Sequence, residues 1–356
     1  MQELVPYRKL AIGYNTREPD IFEECLKPWL PAVLEVYFSW PGEPSGRDMN
    51  LNCNYDLAEE RLLETLRRLR RDGVKLDLLF NANCYGPTAF DPEMHKTVDR
   101  VMAKLAQHQL LPEVVTTTSQ YIARVIKLDH PAIKVRASVN MHLRTTMSME
   151  FIADLFDSFY ISRELNRDLA TVQIFSEWCR KNGKEFCMLA NSACLRSCPV
   201  QTFHDNLIAH NSVNGRTGEY ELQMPFRLCQ RRLKDPENRI DIIRNSTWVR
   251  PEDMHYYEPL VDVIKLATRT VATPDLILRA YATGHYDGNL LNLLGLPAHT
   301  YIDNKAFPPD WIEQGIAQTC APNCTKCGKC EALLAVTERQ DLMPPRYNFA
   351  TAPIRI

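Results

Sequence analysis

The stretch Lys184-Glu185-Phe186-Cys187-Met188-Leu189-Ala190-Asn191-Ser192-Ala193-Cys194-Leu195-Arg196-Ser197-Cys198-Pro199 decides how this chain is read. Its apolar first half, Glu185 to Ala190, is the length of a short buried strand, and three cysteines lie in and just beyond it. Outward on the N-terminal side stand a helical pattern bearing Leu169, Val172, Phe175 and Trp178 and a short apolar strand from Ser158 to Ile161. On the C-terminal side the next strand-like run is Val261 to Ala267.

The same unit repeats back to the start of the chain. Strands are expected at Lys9–Asn15, Ala32–Ser39, Leu76–Asn83, Glu113–Thr117 and Lys134–Asn140. Between them lie helical patterns. Asp56 is placed to cap one whose apolar stripe is Leu62, Leu63, Leu66 and Leu69 and which Gly73 ends. Asp91-Pro92 opens another, with Met94, Val98, Val101, Met102 and Leu105 on its buried face. Later helices carry Tyr121, Ile122, Val125 and Ile126, and then Phe151, Ile152, Leu155 and Phe156. Eight strand–helix units without hairpin turn chemistry predict an α/β fold, a (β/α)8 TIM-type barrel or close variant. No glycine-rich phosphate turn follows an early strand, which argues against a doubly wound sheet.

Two segments break the rhythm. Residues 211–259 are too long for a simple connection and contain Asn214-Gly215-Arg216-Thr217-Gly218, so they are expected to form an insertion over the barrel mouth. From residue 297 to 356 the chain is proline-rich and carries Cys320, Cys324, Cys327 and Cys330 as C-x3-C-x2-C-x2-C. The division is thus a barrel over 1–296 and a cysteine-rich metal-binding tail over 297–356.

The composition, 356 residues with 45% apolar and 24% charged, is that of a globular protein with ample core. A net charge of −2 gives no global attraction to nucleic acid or to an anionic membrane. No apolar run is long enough to span a bilayer, and the start lacks signal-peptide regions. Seven of the twelve cysteines are bunched in two places in a chain with no export signal, which favours metal ligation in a reducing cytoplasm over a disulfide scaffold.

In a barrel of this kind chemistry gathers where the strands end. Those ends carry Asn15, Ser39, Asn81, Asn83, Asn140, His142, Arg163, Glu164, Asn191, Cys194, Lys265 and Arg269, a set rich in amides and poor in paired carboxylates. There is no His-x-His, no His-Glu-x-x-His and no Ser-His-Asp order to support a zinc or serine hydrolase. Each such group alone is more often a satisfied structural one. Together with the cysteines they describe a polar mouth above a metal.

Asp157-Ser158-Phe159-Tyr160-Ile161-Ser162-Arg163-Glu164-Leu165-Asn166 resembles the sixth-strand Arg-Glu-Leu motif of the peptidase U32 family. Cys229, the stretch Asn245 to Met254 and Val263-Ile264-Lys265-Leu266-Ala267-Thr268-Arg269 follow in the family's order, so the resemblance covers Lys9 to Leu294. It implies a barrel bearing a [4Fe–4S] cluster near Cys194, Cys198 and Cys229, with Cys187 or a tail thiolate as fourth ligand. It further implies oxygen-independent hydroxylation of an RNA, quinone-like or other small substrate, or else peptidase activity. The residues expected to serve the substrate are Arg163, Glu164, Lys265, Arg269, Asn81 and His142. A redox partner or a partner protein of the same family is also expected.

The tail spacing fits a second [4Fe–4S] cluster better than zinc, whose ribbons separate their two Cys-x2-Cys halves widely; zinc is the alternative. Arg61, Arg67, Arg68, Arg70 and Arg71 read as the solvated side of a helix. Arg227, Arg231, Arg232, Lys234, Arg239 and Arg244 flank Cys229 where an anionic substrate or RNA would approach, with Asp235, Glu237 and Asp241 interrupting them. A non-catalytic RNA-binding or assembly role is the remaining alternative.

Overall fold

Eight parallel strands close into one barrel in sequence order. The computed structural model describes residues 9–15, 19–46, 54–214, 228–269, 271, 273–296, 300–316 and 327–342. The strands are β1 (Leu10–Gly13), β2 (Val33–Ser39), β3 (Lys75–Phe80), β4 (Val114–Thr117), β5 (Lys134–Ala137), β6 (Ser158–Tyr160), β7 (Glu185–Leu189) and β8 (Val263–Lys265). Closure comes from β1 pairing with β8, Leu10 beside Ile264 and Ala11 beside Lys265.

Of the helices that cover the barrel, the second, third, fourth and sixth form where the apolar spacing predicts; the first was not expected, and the fifth lies ahead of the expected Phe151-to-Phe156 stripe. They are α1 (Pro19–Leu26), α2 (Tyr55–Arg71), α3 (Pro92–Gln107), α4 (Gln120–Asp129), α5 (Thr146–Glu150) and α6 (Leu169–Lys181). In α2 the buried stripe is the expected one, but the cap is Asn54, whose side chain accepts from Leu57 N–H. Asp56 lies one residue inside the helix, where its carboxylate faces the positive end of the dipole. Asp91 and Pro92 cap and open α3 as expected. Phe151 corrects the sequence reading: α5 stops at Glu150 and Phe151 is exposed.

The β7–β8 connection holds α7 (Gln201–Asn214) and α8 (Leu228–Lys234), followed by short helical turns at Pro236–Asn238, Asp241–Arg244 and Pro251–Tyr256. The expected turn at 214–218 lies outside the described residues apart from Asn214. After β8 come α9 (Pro274–Thr283) and α10 (Lys329–Thr337). Ile302, Phe307, Trp311, Ile312, Ile316, Cys330 and Leu333 all belong to the main core, so the described part of 297–356 packs into the barrel's outer layer. Trp311 packs on Trp248 and Phe307, with ring centroids 5.5 and 5.3 Å apart. Cys320 and Cys324 lie outside the described residues.

Inside the barrel Leu79, Leu189 and Val263 supply the branched apolar side chains usual for this fold, but one layer is ionic instead. Arg136 on β5 donates to Glu35 on β2, to Ser158 Oγ on β6 at 2.9 Å and to Asp77 on β3 at 3.4 Å. Thr116 on β4 donates to Asp77, and Ser158 Oγ lies 3.1 Å from Cys187 Sγ on β7. Glu35, Asp77 and Arg136 are each no more than 1% exposed. A charge inside a barrel is affordable when partners surround it, and here five strands supply them.

Candidate active site at the barrel mouth

Above this ionic layer the C-terminal strand ends form two walls. On one, Asn81 Oδ1 accepts from Ser45 Oγ at 3.2 Å and from Gly46 N–H at 2.9 Å. Asn140 Nδ2 donates to Asn81 O at 3.2 Å, and Arg269 Nη1 donates to Ser45 Oγ at 3.0 Å. Gly13 allows this wall to close. A Cβ there would stand 2.3 Å from Arg269 Cγ and 2.6 Å from Tyr37 Cε2, so any side chain would displace the arginine. The floor is aromatic: Lys265 Nζ lies 3.8 Å from the centre of the Tyr37 ring and 5.4 Å from that of Tyr160. The Tyr160 hydroxyl is buried without a hydrogen-bond partner among the described residues.

Burial pulls the Lys265 ammonium down to about 8, against the attraction of Asp77. Asp77 is pushed up to about 6 by burial, although Arg136 opposes the shift. Lys265 therefore stands between the ionic layer below and the mouth above. It is buried and does not stand open at the rim, and the aromatic floor and Asp77 make that burial tolerable.

The other wall is cationic and sulfur-bearing. Arg163, 5% exposed, donates from Nη1 to Cys194 Sγ at 3.5 Å. With the Gln201 amide turned so that its oxygen faces the guanidinium, Nε and Nη2 donate to that oxygen at 3.2 and 2.7 Å, and Asp205 lies 3.8 Å away. Asp205 also meets His142 Nε2 at 3.3 Å. His142 holds a left-handed backbone, φ 53°, at the end of the short helical turn after β5. Such a conformation in a non-glycine residue is costly unless its surroundings hold it, and it aims the ring at α7.

Glu164 does not pair with Arg163. It forms an ion pair with Arg144 at 2.7 Å and accepts from Ser197 N–H at 2.7 Å. Ser197 has φ 54° and sits between Cys194 and Cys198, so Glu164 holds the cysteine loop in shape. The loop is further fixed by the Leu195–Ser246 bridge and by Thr247 Oγ1 donating to Ser192 O at 3.1 Å.

Cys194, Cys198 and Cys229 are half-buried free thiols. Burial raises the Cys229 thiol, and the neighbouring Cys194 and Cys198 raise it further, so both lie within electrostatic reach of Cys229. Among the described residues they do not all lie within 4.8 Å of one another, the spacing at which three ligands would surround a single ion. A cubane cluster carries its ligands on separate corners and accommodates wider spacing. The donor set of soft sulfurs beside a guanidinium suits such a group.

Cys187 is set apart. It is fully buried in the barrel interior against Ser158, its thiol pushed far above the usual range by burial, so the expectation of Cys187 as fourth ligand is not met. Asn191 also proves structural, accepting from Ala267 N–H at 2.6 Å and donating to Leu293 O at 3.0 Å. The basic run around Cys229 is partly neutralised: Arg232 and Arg244 share Asp241, and Arg239 pairs with Glu338, while Arg227 lies outside the described residues. The sequence reading missed Asp205 and Gln201. Their signal was faint, since two polar residues four apart on one helix face are common.

No family model matches the chain. It is 25% identical over 311 residues to the uncharacterized protease MJ1657 of Methanocaldococcus jannaschii, a match spanning 84% of this chain and 87% of that protein. The structure of the U32 peptidase Mk0906 superimposes with a TM-score of 0.53 at 14% identity, covering 75% of this chain and 95% of that one. The resemblance to the U32 family holds. The chain shares with Mk0906 the barrel on which the mouth is built. A phosphodiesterase from Oleispira antarctica is far less similar, with a TM-score of 0.37, 13% identity and coverage of 52% of this chain and 85% of that one. No helix among the described residues is long and apolar enough to cross a membrane.

Proposed function

We propose that the chain is an iron–sulfur enzyme of the U32 type, acting at the barrel mouth on an RNA, quinone-like or other small substrate by an oxygen-independent, hydroxylation-type reaction. The observation that supports this reading is that Cys194, in the loop after β7, accepts from the Arg163 guanidinium, while Cys194 and Cys198 lie within electrostatic reach of Cys229 on α8. These three would hold a [4Fe–4S] cluster, with the remaining corner taken by a further thiolate or opened to substrate. When bound, the cluster supplies electron transfer or Lewis acidity. Arg163 screens the negative charge of the thiolates and keeps Cys194 turned to the mouth. Lys265, Arg269 and Asn81 bind the polar groups of a substrate lying over Tyr37, and the His142–Asp205 pair is placed to hold or move a proton at Nε2. Cys320, Cys324, Cys327 and Cys330 would form a second centre.

Anaerobically purified protein is expected to be brown and to contain iron and acid-labile sulfide. Cys194→Ala or Cys198→Ala should remove at least a third of the iron while leaving the circular dichroism unchanged. A colourless protein with zinc alone would sink the proposal.

A peptidase reading has one observation in its favour besides the name of the relative from Methanocaldococcus jannaschii. Cys84 Sγ lies 3.9 Å from His210 Nδ1, a thiol and an imidazole at the distance of a loosely formed nucleophile–base pair. That reading predicts peptide cleavage by metal-free protein that is lost in Cys84→Ser and on iodoacetamide treatment. Cleavage that survives both eliminates the pair.

A further inference from the structure

Arg163 and Arg167 stand four residues apart in the turn after β6, and each faces a different group of cysteines. Arg163 reaches Cys194 at the mouth. Arg167 runs the other way, beneath the tail. Its guanidinium is stacked 4.9 Å from the centre of the Trp248 ring and 5.8 Å from that of Trp311. It is 3% exposed, and its Nη1 donates to Ile243 O at 2.8 Å. Nη2 has no acceptor among the described residues.

A buried guanidinium with an idle donor is expensive unless an anion completes it. None of the nearby carboxylates does so. Both oxygens of Asp253 are committed, to Arg250 at 2.7 and 2.8 Å and to Trp311 Nε1 at 2.9 Å. Asp241 serves Arg232 and Arg244, and Glu331 lies against Arg244. Arg196 adds a second positive charge close to Arg167, which deepens the local excess of cations. Among the described residues of the tail, the anion-forming group whose charge reaches Arg167 is the Cys330 thiol, itself 2% exposed on the first turn of α10. Cys327, three residues earlier, is exposed and separated from α10 by Gly328 at φ 67°.

We propose that Arg167 is the counter-charge and positioning residue of an anionic metal–thiolate centre that Cys327 and Cys330 help to bind, so that the turn Arg163–Arg167 clamps two thiolate centres, one on each side. Such a centre carries net negative charge whether its metal is a four-iron cluster or zinc, and either would complete the idle Nη2 donor. The inference rests on the tail cysteines binding a metal, and goes further by naming the barrel residue that receives it.

The test uses the full chain, loaded anaerobically with iron and sulfide in one series and with zinc in another. Cys327→Ser first identifies the tail-bound metal as the portion it removes. Loss of that portion to a chelator is then followed in Arg167→Lys and Arg167→Gln. Arg167→Gln is expected to release it about tenfold faster or more, as for other residues that support metal ligands, with Arg167→Lys nearer to wild type. Metal at Cys194, Cys198 and Cys229 should stay. If iron occupies the tail, Arg167→Gln should also lower its reduction potential, which a purely structural role would not do. Unchanged release and potential in Arg167→Gln overturn the proposal. If Cys327→Ser removes no metal in either series, the tail reading itself has failed and the proposal falls with it. Should Arg167→Gln not fold, metal-free Cys330→Asp and Cys330→Asn are compared. A carboxylate at 330 should melt clearly higher than the amide if Arg167 faces it, and equal melting refutes the assignment.

Discussion

Two regions of this barrel handle buried arginine in opposite ways. In the interior, Arg136 has every arm engaged: Glu35, Ser158 and Asp77 accept from it, and Glu185 lies 3.7 Å from Nη2. At the rim, Arg163 reaches a thiol through one arm and Arg167 keeps one idle. A charge saturated by fixed carboxylates has no capacity left for a ligand, so it can only hold strands together. A charge whose hydrogen bonds go to neutral amides, carbonyls or a thiol, or that keeps a donor idle, is poised for something that arrives later. The difference separates structure from function better than burial does, since Arg136, Arg163 and Arg167 are all at most 5% exposed.

That contrast can be broken most severely at Arg136. Arg136→Met leaves Glu35 and Asp77 buried without their cation and is expected to destabilise the fold by about 3–5 kcal/mol, read as a lower urea midpoint. Folded molecules of this variant should still carry the mouth metal, and loss of metal per folded molecule would mean that the ionic layer belongs to the site. Arg163→Gln should cost less, about 1.5–3 kcal/mol, the range for hydrogen bonds to charged groups. Its larger effect should appear in the spectrum and reduction potential of the cluster proposed at the mouth. A drop in stability as large as that of Arg136→Met, with an unaltered spectrum, would place Arg163 with the structural arginines.

Lys265 lies on the boundary, and pH sharpens its position. Its folded pKa is lowered to about 8 from 10.5, so burying the ammonium costs stability below pH 8. That penalty is relieved as pH rises from about 8 towards 10.5, because the unfolded chain then still holds a proton the folded one has released. Binding of an anionic substrate should change in the other direction, falling through an apparent pKa near 8 as the charge disappears. Lys265→Met should remove this limb from the pH profile of substrate binding. A profile identical to wild type would show that Lys265 serves the floor and not the substrate.

Much of the barrel was legible because it rests on local periodicity. Each of the eight expected strands overlaps an observed one, and the stripe Met94, Val98, Val101, Met102 and Leu105 is buried as expected. Caps were less secure: Asn54 and Asp56 are both good capping residues, and only the chain's entry angle chose between them. In the site, Arg163 and Cys194 were visible at strand ends, whereas Asp205 and Gln201 were not, since they come from a helix in a long connection. Glu164 was also visible there, but it does not share the direction of Arg163, because adjacent residues in a tight turn point apart. That geometry sends Glu164 to Arg144 and Ser197.

The order of strands and helices, the buried stripes and the grouping of cysteines were thus determined by the sequence alone, because each depends on spacing along the chain. Only the tertiary structure decided which cysteines meet. Cys187 and Cys194 are seven residues apart, yet one points into the barrel and the other lies beyond its rim, because side-chain direction on a strand alternates and the loop after it turns away. The same holds for the cations. Arg136, Arg163 and Arg167 look alike in the sequence, and their roles differ through partners brought from strands and loops up to 101 residues away. Charge is a property of the residue, but its saturation is a property of the fold.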